Sequence, residues 1–333
     1  MKAQEGSDYS MLAELDSHYV ILSKAIVDGR AIPFLGAGVN LCGRPAEAAW
    51  QRGQYLPSGG ELAAHLARLY GYPPTDSLDL VRVCQYISIV SGPGSLYEEL
   101  RRLFDSDYPL TPLHDFLAWL PALLRGKECG PRSLNQLVVT TNYDDMLERA
   151  YLAAGEPFDL VTYIAEGDDR GKFLHRPCDR DPCVIERPNE YRDLSFGARP
   201  VILKIHGAVD RIDQERDSYV ITEDHYIDYL TRTDIACLLP VQLAAHLRKS
   251  HFLFLGYSLA DWNLRVILHR IWGQQKLSWK SWAIQLGAKQ IDRESWNRRG
   301  VEILNVDLQE YVRGLRERLE GLPLQTPAEG KTA

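Results

Sequence analysis

The chain has 333 residues, of which 45% are hydrophobic, 25% charged and 10% aromatic, and its formal net charge is -7. This composition is typical of a globular protein that builds a sizeable core without metals or disulfides. The negative charge and the absence of a Lys/Arg run argue against a general polyanion-binding surface, so direct nucleic-acid binding is not predicted.

Targeting and redox signals favour a soluble, cytoplasmic protein. The N-terminal stretch has no apolar core of a signal peptide, and the longest apolar run, FLAWLPALL at 116–124, is too short to cross a bilayer. No membrane contact is therefore predicted. The cysteines are sparse and do not form a disulfide ladder, which indicates a reducing compartment. They occupy positions 42, 84, 129, 178, 183 and 237.

Short apolar runs alternate with helical patterns along most of the chain. Dense apolar runs of this kind are typical of parallel strands covered on both faces, so we predict a Rossmann-like, doubly wound α/β fold. The predicted strands are 31–35, 137–141, 201–205, 251–255, 282–286 and 301–306. The predicted helices are 12–28, 61–71, 95–104, 113–124, 145–154 and 310–321.

Three segments interrupt the alternation. Residues 44–130 are mostly helical and are predicted to form a helical module inserted into the α/β frame. Residues 163–200 are polar and weakly periodic, and we expect a long irregular insertion there. The last residues, 323–333, are expected to form a disordered tail.

Four predicted strands end in glycine or in hydrogen-bonding residues. The endings are GAGVN (36–40), NYD (142–144), HG (206–207) and GYS (256–258). In open parallel sheets ligands bind at the carboxyl ends of the strands, near the point where the strand order reverses. The four endings together therefore predict a ligand site at one edge of the sheet.

The glycines of GAGVN allow two interpretations. Without Cβ atoms at Gly36 and Gly38, the backbone can approach a phosphate closely, and free N–H groups of the next helix can bind the anion. The full GxGxxG fingerprint is absent, because position 41 is Leu. An ordinary strand-to-helix turn is equally consistent with this motif.

Asn142, Asp144 and His206 also have structural alternatives. Asn and Asp are preferred helix caps, and Asp144 could cap the next helix. Capping explains one of these residues and does not explain Thr141, Asn142 and Asp144 together. His206 alone is more often a satisfied polar residue. Its position at the same edge as Asn142 favours a catalytic role, since histidine is the usual general base near neutral pH.

Cys178 and Cys183, with His175 nearby, have a spacing that zinc tolerates, but a second pair is missing. We therefore interpret them as free thiols, and no metal is expected.

The strand endings resemble the motifs of sirtuins. GAGVN resembles the sirtuin GAGxS element, TTNYD (140–144) the TQNxD element, KIHG (204–207) the catalytic HG, and LGYSLADWN (255–263) the GTSL element. Order and approximate spacing agree over residues 20–320. The residues of these motifs are most similar to those of the bacterial sirtuin-like branch of antiphage defence.

This resemblance implies a single sirtuin-like, NAD-binding domain over residues 12–322, with Asn142 and His206 as catalytic residues and His206 as the general base. It implies that Asp144 orients the carboxamide and that Thr141 lies by the nicotinamide ribose. The resemblance also implies that Gly36, Ala37, Gly38 and Asn40 contact the pyrophosphate. On the adenosine side, the implied residues are Gly256, Ser258, Asn263 and Asn305.

The chain departs from sirtuin deacetylases in one respect. Those enzymes carry a four-cysteine zinc module between the HG and GTSL elements, whereas residues 208–255 here contain only Cys237. The leading hypothesis is therefore an NAD+ glycohydrolase with NAD as its substrate. A protein deacylase and a catalytically silent nucleotide-binding scaffold remain alternatives.

The resemblance also implies control of the activity. It predicts a homo-oligomer, activated by assembly or by a partner such as a HerA-type ATPase or another phage sensor, that depletes NAD in abortive infection.

Overall fold

A computed structural model describes residues 2–194, 196–231, 235–257, 268 and 279–323. The strands are β1 (Ala31–Leu35), β2 (Leu137–Thr140), β3 (Asp159–Tyr163), β4 (Phe173–Arg176), β5 (Cys183–Val184), β6 (Val201–Lys204), β7 (Gly207–Ala208), β8 (Ser218–Tyr219), β9 (His251–Leu255), β10 (Ser281–Ile284) and β11 (Val301–Leu304).

The helices of the described residues follow the same order. They are α1 (Lys2–Val27), α2 (Gly59–Tyr70), α3 (Leu80–Ser91), α4 (Pro93–Phe104), α5 (Pro112–Gly126), α6 (Met146–Ala153), α7 (Glu223–Thr231), α8 (Ile235–Leu238), α9 (Val241–Arg248), α10 (Gln290–Asn297) and α11 (Leu308–Glu320). Short 3-10 helices span Ala37–Leu41, Pro131–Leu134 and Gln214–Arg216.

Among the described residues, nine strands form one sheet in the order β11-β10-β9-β1-β2-β6-β3-β4-β5. The strands from β11 to β3 are parallel, whereas β4 and β5 are antiparallel to their neighbours. The chain leaves β1 towards β2 on one side and later continues from β9 towards β11 on the other. The strand order therefore reverses between β1 and β9, which is where such sheets bind ligands.

Both faces of the sheet are buried, which confirms the doubly wound fold. Along β9, Phe252 and Phe254 contribute to one hydrophobic cluster, and Leu253 and Leu255 contribute to the other. The first cluster includes residues of α7, α9 and α10, and the second includes residues of α1, α5, α6 and α11. Alternate residues of one strand thus reach opposite layers.

The helices inserted after β1 divide into two groups. A third hydrophobic cluster joins α2, α3 and α4, with Leu66, Ile87 and Leu100 fully buried in it. We call these three helices the α2–α4 cluster. Helix α5 instead packs on the sheet, because Leu113 and Leu117 belong to the layer of α1 and α11. The predicted module 44–130 therefore contains a helical cluster, which also packs against Met146, Val209 and Tyr219 of the α/β frame, and a helix of the sheet layer at its C-terminal end.

The segment 163–200 is less irregular than the sequence indicates. It contains β4 and β5, which extend the sheet beyond β3. Strand β4 alternates buried and half-buried residues. Because some of these residues are polar, the strand lacks the apolar run by which the other strands were predicted. Within the described ranges no helix is long and apolar enough to cross a membrane. The tail predicted at 323–333 falls outside the described residues after position 323.

The loops after β1 and β9 touch, and this contact predicts a large effect of Gly256→Ala. Gly256 has φ +70°, and a Cβ there would lie 2.2 Å from the Val39 nitrogen. Gly287 has φ +69° and open space around it, so Gly287→Ala is a matched control for backbone strain. We expect Gly287→Ala to cost about 1–2 kcal/mol of unfolding free energy, and Gly256→Ala about 1–3 kcal/mol more. Urea denaturation measures both; equal losses would contradict the steric contact.

A buried histidine predicts acid sensitivity. His18 of α1 lies with its Nε2 2.6 Å from the Tyr311 hydroxyl. Burial, and to a smaller degree Lys280, lowers the pKa of His18 from 6.5 to about 3. As the pH falls, His18 is protonated in the unfolded chain before it is protonated in the folded protein. The contribution of His18 to the free energy of unfolding is therefore fully present above pH 6.5 and is lost as the pH falls towards 3.

We therefore expect His18→Gln to reduce the acid-dependent loss of unfolding free energy, by up to about 1.4 kcal/mol for each pH unit in that window. Denaturation curves at several pH values measure the slope in both proteins. The same slope in the variant as in the parent would show that His18 does not contribute to it.

Candidate functional site

Register places the four predicted strand endings at one edge of the sheet. Leu35 is opposite both Thr140 and Leu255, and Thr140 is opposite Lys204. The residues that follow these positions therefore leave the sheet at the same level and on the same side. This confirms the convergence expected from the sequence.

A cavity of about 620 Å³ lies at this edge, a volume within the range of small-molecule sites. The sheet edge and α7 contribute Ala37, Gly38, Asn40, Leu41, Thr141, Asn142, Tyr143, Asp144, His206, Ile221, Tyr226, Gly256, Tyr257, Ile284 and Gln285. The opposite wall comes from the inserted helices and the loops before them. It contains Pro57, Ser58, Gly59, Gly60, Leu62, Leu78, Asp79, Leu80, Val81 and Phe104.

The glycines of GAGVN form a close contact between the loop after β1 and the loop after β9. The N–H of Gly38 donates to the carbonyl of Gly256 at 2.8 Å, and the N–H of Gly36 donates to the carbonyl of Leu255 at 3.0 Å. A Cβ at Gly38 would lie 2.6 Å from the Gly256 oxygen. Two of the amides expected to bind an anion are thus used within the protein, because β1 and β9 are neighbours whose loops cross.

Asn40 and Asp144 form a buried polar pair in the cavity wall. Asn40 is 6% exposed and Asp144 5% exposed, and both residues line the cavity. The Asn40 Oδ1 has no hydrogen-bond partner among the described residues. Burial raises the pKa of Asp144, and Lys204 opposes that rise. The Asp144 carboxylate also accepts from the Met146 N–H at 3.2 Å, so it caps α6 while it lines the cavity.

Thr141 and Asn142 are fixed to the neighbouring loops. The Asn142 Nδ2 donates to the carbonyl of Gly36 at 3.3 Å, which ties the turn after β2 to the turn after β1. The hydroxyls of Thr141 and Tyr257 lie 2.6 Å apart and link the same turn to the end of β9. Asn142 is 8% exposed, so its amide is held away from bulk water at the cavity wall.

His206 is buried among tyrosines. It is 3% exposed, its Nδ1 lies 3.5 Å from the Tyr226 hydroxyl, and the Tyr226 and Tyr229 rings meet it edge-on. The His206 carbonyl accepts from Val220 N–H at 2.9 Å, so its backbone is also fixed. Asn142 and His206 come from neighbouring strands and line the same cavity.

The helical wall presents the start of two helices to the cavity. Ser58 and Glu61 form a reciprocal capping box at the start of α2, and the Asp79 carboxylate caps α3. Phe104, at the end of α4, packs against Tyr143 with ring centroids 5.6 Å apart. This wall gives the open edge of the sheet a partly apolar cover.

Several cavity residues were not predicted. Tyr257 lies within the LGYSLADWN motif, so its position next to Gly256 was an available signal. Tyr226, Gln285 and the residues of the helical wall carry no motif. Their placement follows from the packing of α7 on the sheet, from the register of β10 and from the α2–α4 cluster.

Some predicted contacts lie elsewhere. Asn305 is outside the set of described residues that line the cavity, and its Oδ1 accepts from the Gly287 N–H at 2.8 Å. Its side chain closes the loop after β10, and Gln285 from the same region lines the cavity instead. Ser258 and Asn263 lie outside the described residues.

Cys178 and Cys183 of the 163–200 segment are free and exposed. The Cys183 Sγ lies 3.1 Å from the Tyr191 hydroxyl, and that hydroxyl lies 2.6 Å from the His175 Nδ1. Within the part of the chain that the structure describes, no three His, Cys, Asp or Glu side chains are grouped to hold a metal ion.

Comparison with known proteins gives relatives named as a defense-associated sirtuin and as NAD(+) hydrolases. The chain is 25% identical over 314 residues to defense-associated sirtuin 2 of Bacillus subtilis, covering 89% of this chain and 26% of that protein. It is 26% identical over 251 residues to the NAD(+) hydrolase ThsA of Enterococcus faecium, covering 75% of this chain and 41% of that protein. The ThsA protein of Acinetobacter baumannii is 28% identical over 194 residues, which cover 58% of this chain and 31% of the relative.

The chain thus spans less than half the length of each of these relatives. A family model for the SIR2-like domain matches residues 136–304, which is just over half of the chain. The matched range contains Asn142, Asp144 and His206, the residues that meet at the cavity. The chain therefore belongs to the SIR2-like domain family.

Proposed function

We propose that this protein is an NAD+ glycohydrolase, which cleaves the bond between nicotinamide and ribose to give nicotinamide and ADP-ribose. The observation that carries the proposal is the convergence of the buried residues Asn142, Asp144 and His206 in the wall of one cavity at the point where the strand order reverses. Relatives named NAD(+) hydrolase and defense-associated sirtuin support both the reaction and its biological role.

The reaction needs little help at the leaving group, because nicotinamide departs as a neutral molecule. Water attacks the anomeric carbon of the ribose as the bond to nicotinamide breaks, and one proton is released. The transition state resembles an oxocarbenium ion, as in glycoside hydrolysis. The protein must orient the ribose, stabilise positive charge and accept the proton of the attacking water.

The residues of the cavity supply these functions. His206 accepts the proton, directly or through a ribose hydroxyl, and the tyrosines around it hold the imidazole in place. The Asn142 amide, fixed by the Gly36 carbonyl, orients the water or a ribose hydroxyl. Asp144 orients the carboxamide of nicotinamide. Because these groups are buried and held by the protein, they need little reorganisation during the reaction.

The rest of the nucleotide lies along the crevice between β1 and β9. Ala37, Gly38 and Asn40 face the pyrophosphate, and Thr141 lies by the nicotinamide ribose. Gly256, with Ser258 and Asn263, is on the adenosine side. Asn305, whose Oδ1 accepts from the Gly287 N–H, is proposed to contact the adenosine side as well.

The biological part of the proposal is an NAD-depleting effector of antiphage defence that acts in the cytoplasm by abortive infection. A hydrolase that is always active would harm its own cell. We therefore expect activation by self-assembly or by a partner protein, for example a HerA-type ATPase or another phage sensor. The single NAD-binding domain over 12–322 belongs to the same proposal.

The catalytic assignment predicts that Asn142→Ala and His206→Ala each lower the rate of NAD loss by about 10²–10⁴-fold. NAD binding should persist, since most of the cavity is unchanged. Chromatography of NAD, nicotinamide and ADP-ribose measures the rate, and calorimetry measures binding. His251→Ala is the control, because His251 begins β9 at the opposite end of the sheet.

The same assay separates the alternatives. It is run with the protein alone, with the products of neighbouring genes, and with an acetylated peptide. NAD loss only with the peptide would establish a deacylase. Binding without loss under every condition would establish a scaffold. Full activity in both variants would remove Asn142 and His206 from the mechanism.

A further inference from the structure

Lys204 is a buried lysine that none of the roles above requires. It ends β6, two residues before His206, and is 1% exposed. Lysine is almost never fully buried unless its charge is paired. In the sheet it is opposite Thr140 of β2 and Thr162 of β3, so its side chain leaves the strand at the level of the site.

The ammonium of Lys204 contacts the turn that carries Asn142. Its Nζ donates to the main-chain carbonyl of Asp144 and lies 2.6 Å from the Glu148 Oε1. Glu148 is in the first turn of α6, directly after the turn that contains Asn142 and Asp144. One buried cation thus joins the strand of His206 to the C-terminal part of the turn that carries the other site residues and to the helix that follows it.

The Lys204 cation also affects the pKa values of neighbouring side chains. Burial raises the pKa of the Asp144 and Glu148 carboxyls, and Lys204 opposes the rise in both. His114 of α5 faces Lys204, and burial, aided by that charge, lowers the pKa of His114 to about 3. The other titratable groups around the Asp144 carboxyl are Asp145, which is paired with Arg211, and Tyr108.

We propose that Lys204 and Glu148 are a positioning pair for the reaction. They hold the turn of Asn142 and Asp144 against the strand of His206, so that the groups from two strands face the same ribose. This inference rests on the proposed function. It is distinct from the catalytic assignment, because neither Lys204 nor Glu148 is among the described residues that line the cavity.

A merely structural ion pair is the alternative, and a double variant separates the two. Removing one partner of a buried pair is strongly destabilising, because the other charge is left buried and unpaired. Replacing both partners by apolar residues of similar volume often restores stability. Lys204→Met alone therefore does not distinguish a structural pair from a positioning pair. The double variant Lys204→Met with Glu148→Leu tests whether the pair positions the turn of Asn142, and it leaves no isolated buried charge.

We expect the double variant to fold and to lose about a hundredfold in kcat, the size of effect that a misplacement of about 1 Å produces. KM should change much less. As the pH is lowered, the rate of the double variant should begin to decline at a higher pH than the rate of the parent. The reason is that the Asp144 carboxyl, without the nearby cation, takes up a proton more readily. Glu148→Gln is the conservative control: it leaves the Lys204 charge without its partner and should lower the free energy of unfolding, but a glutamine oxygen still accepts from Lys204, so the folded variant should retain most of the rate.

Hydrogen–deuterium exchange of the 141–146 segment gives a readout that does not need activity. Faster exchange in the folded double variant would show that the pair holds this turn, whether or not the parent consumes NAD; absence of NAD consumption in the parent would instead overturn the proposed function, and with it the role of the pair in the reaction. A parent that consumes NAD, with unchanged kcat, pH profile and exchange in the double variant, would show that the pair is only structural.

Discussion

The site depends on the register of parallel strands. Leu35, Thr140, Lys204 and Leu255 lie at one level across four adjacent strands, so the turns that follow begin from a common line. A shift of one residue in any of them would turn its following side chain to the other face. Buried residues on both faces oppose such a shift, because every alternate side chain has a defined hydrophobic layer to fill.

The turns at this edge are also bonded to one another. The Asn142 amide reaches the turn after β1, the Thr141 hydroxyl reaches the turn after β9, and Lys204 of β6 reaches the carbonyl of Asp144. These contacts link the turn after β2 to the turns after β1 and β9 and to the end of β6. Preorganisation of this kind lets polar groups act on a developing charge without first moving into place.

The sequence was most informative where apolar runs were dense. Six strands, including β1 and β9, were predicted, because runs such as AIPFL and HFLFL have no other common explanation. Strand β3 was missed because it begins with Asp159, a buried carboxylate that Arg199 satisfies from a distant part of the chain. Strand β5 has only two residues, too few for a periodic signal.

The floor of the cavity could be predicted from motifs, and its wall could not. Asn142, Asp144 and His206 follow strands, so the rule for parallel sheets brings them together. Phe104 and Ser58 reach the cavity only because the α2–α4 cluster packs over it, and no local pattern encodes that contact. Asn305 also follows a strand, yet its side chain accepts from the Gly287 N–H of a neighbouring loop, and its contact with a nucleotide stays a prediction.

The crossing of the loops at Gly38 and Gly256 has a consequence for comparative work. Because a side chain at either position would collide with the other loop, these glycines report a geometric requirement of the scaffold, whether or not a nucleotide is ever hydrolysed. Relatives that have lost catalysis would keep them as faithfully as active enzymes do. A survey that aims to separate working hydrolases from inert descendants should therefore score the amide and imidazole positions, and treat the paired glycines as a marker of ancestry alone.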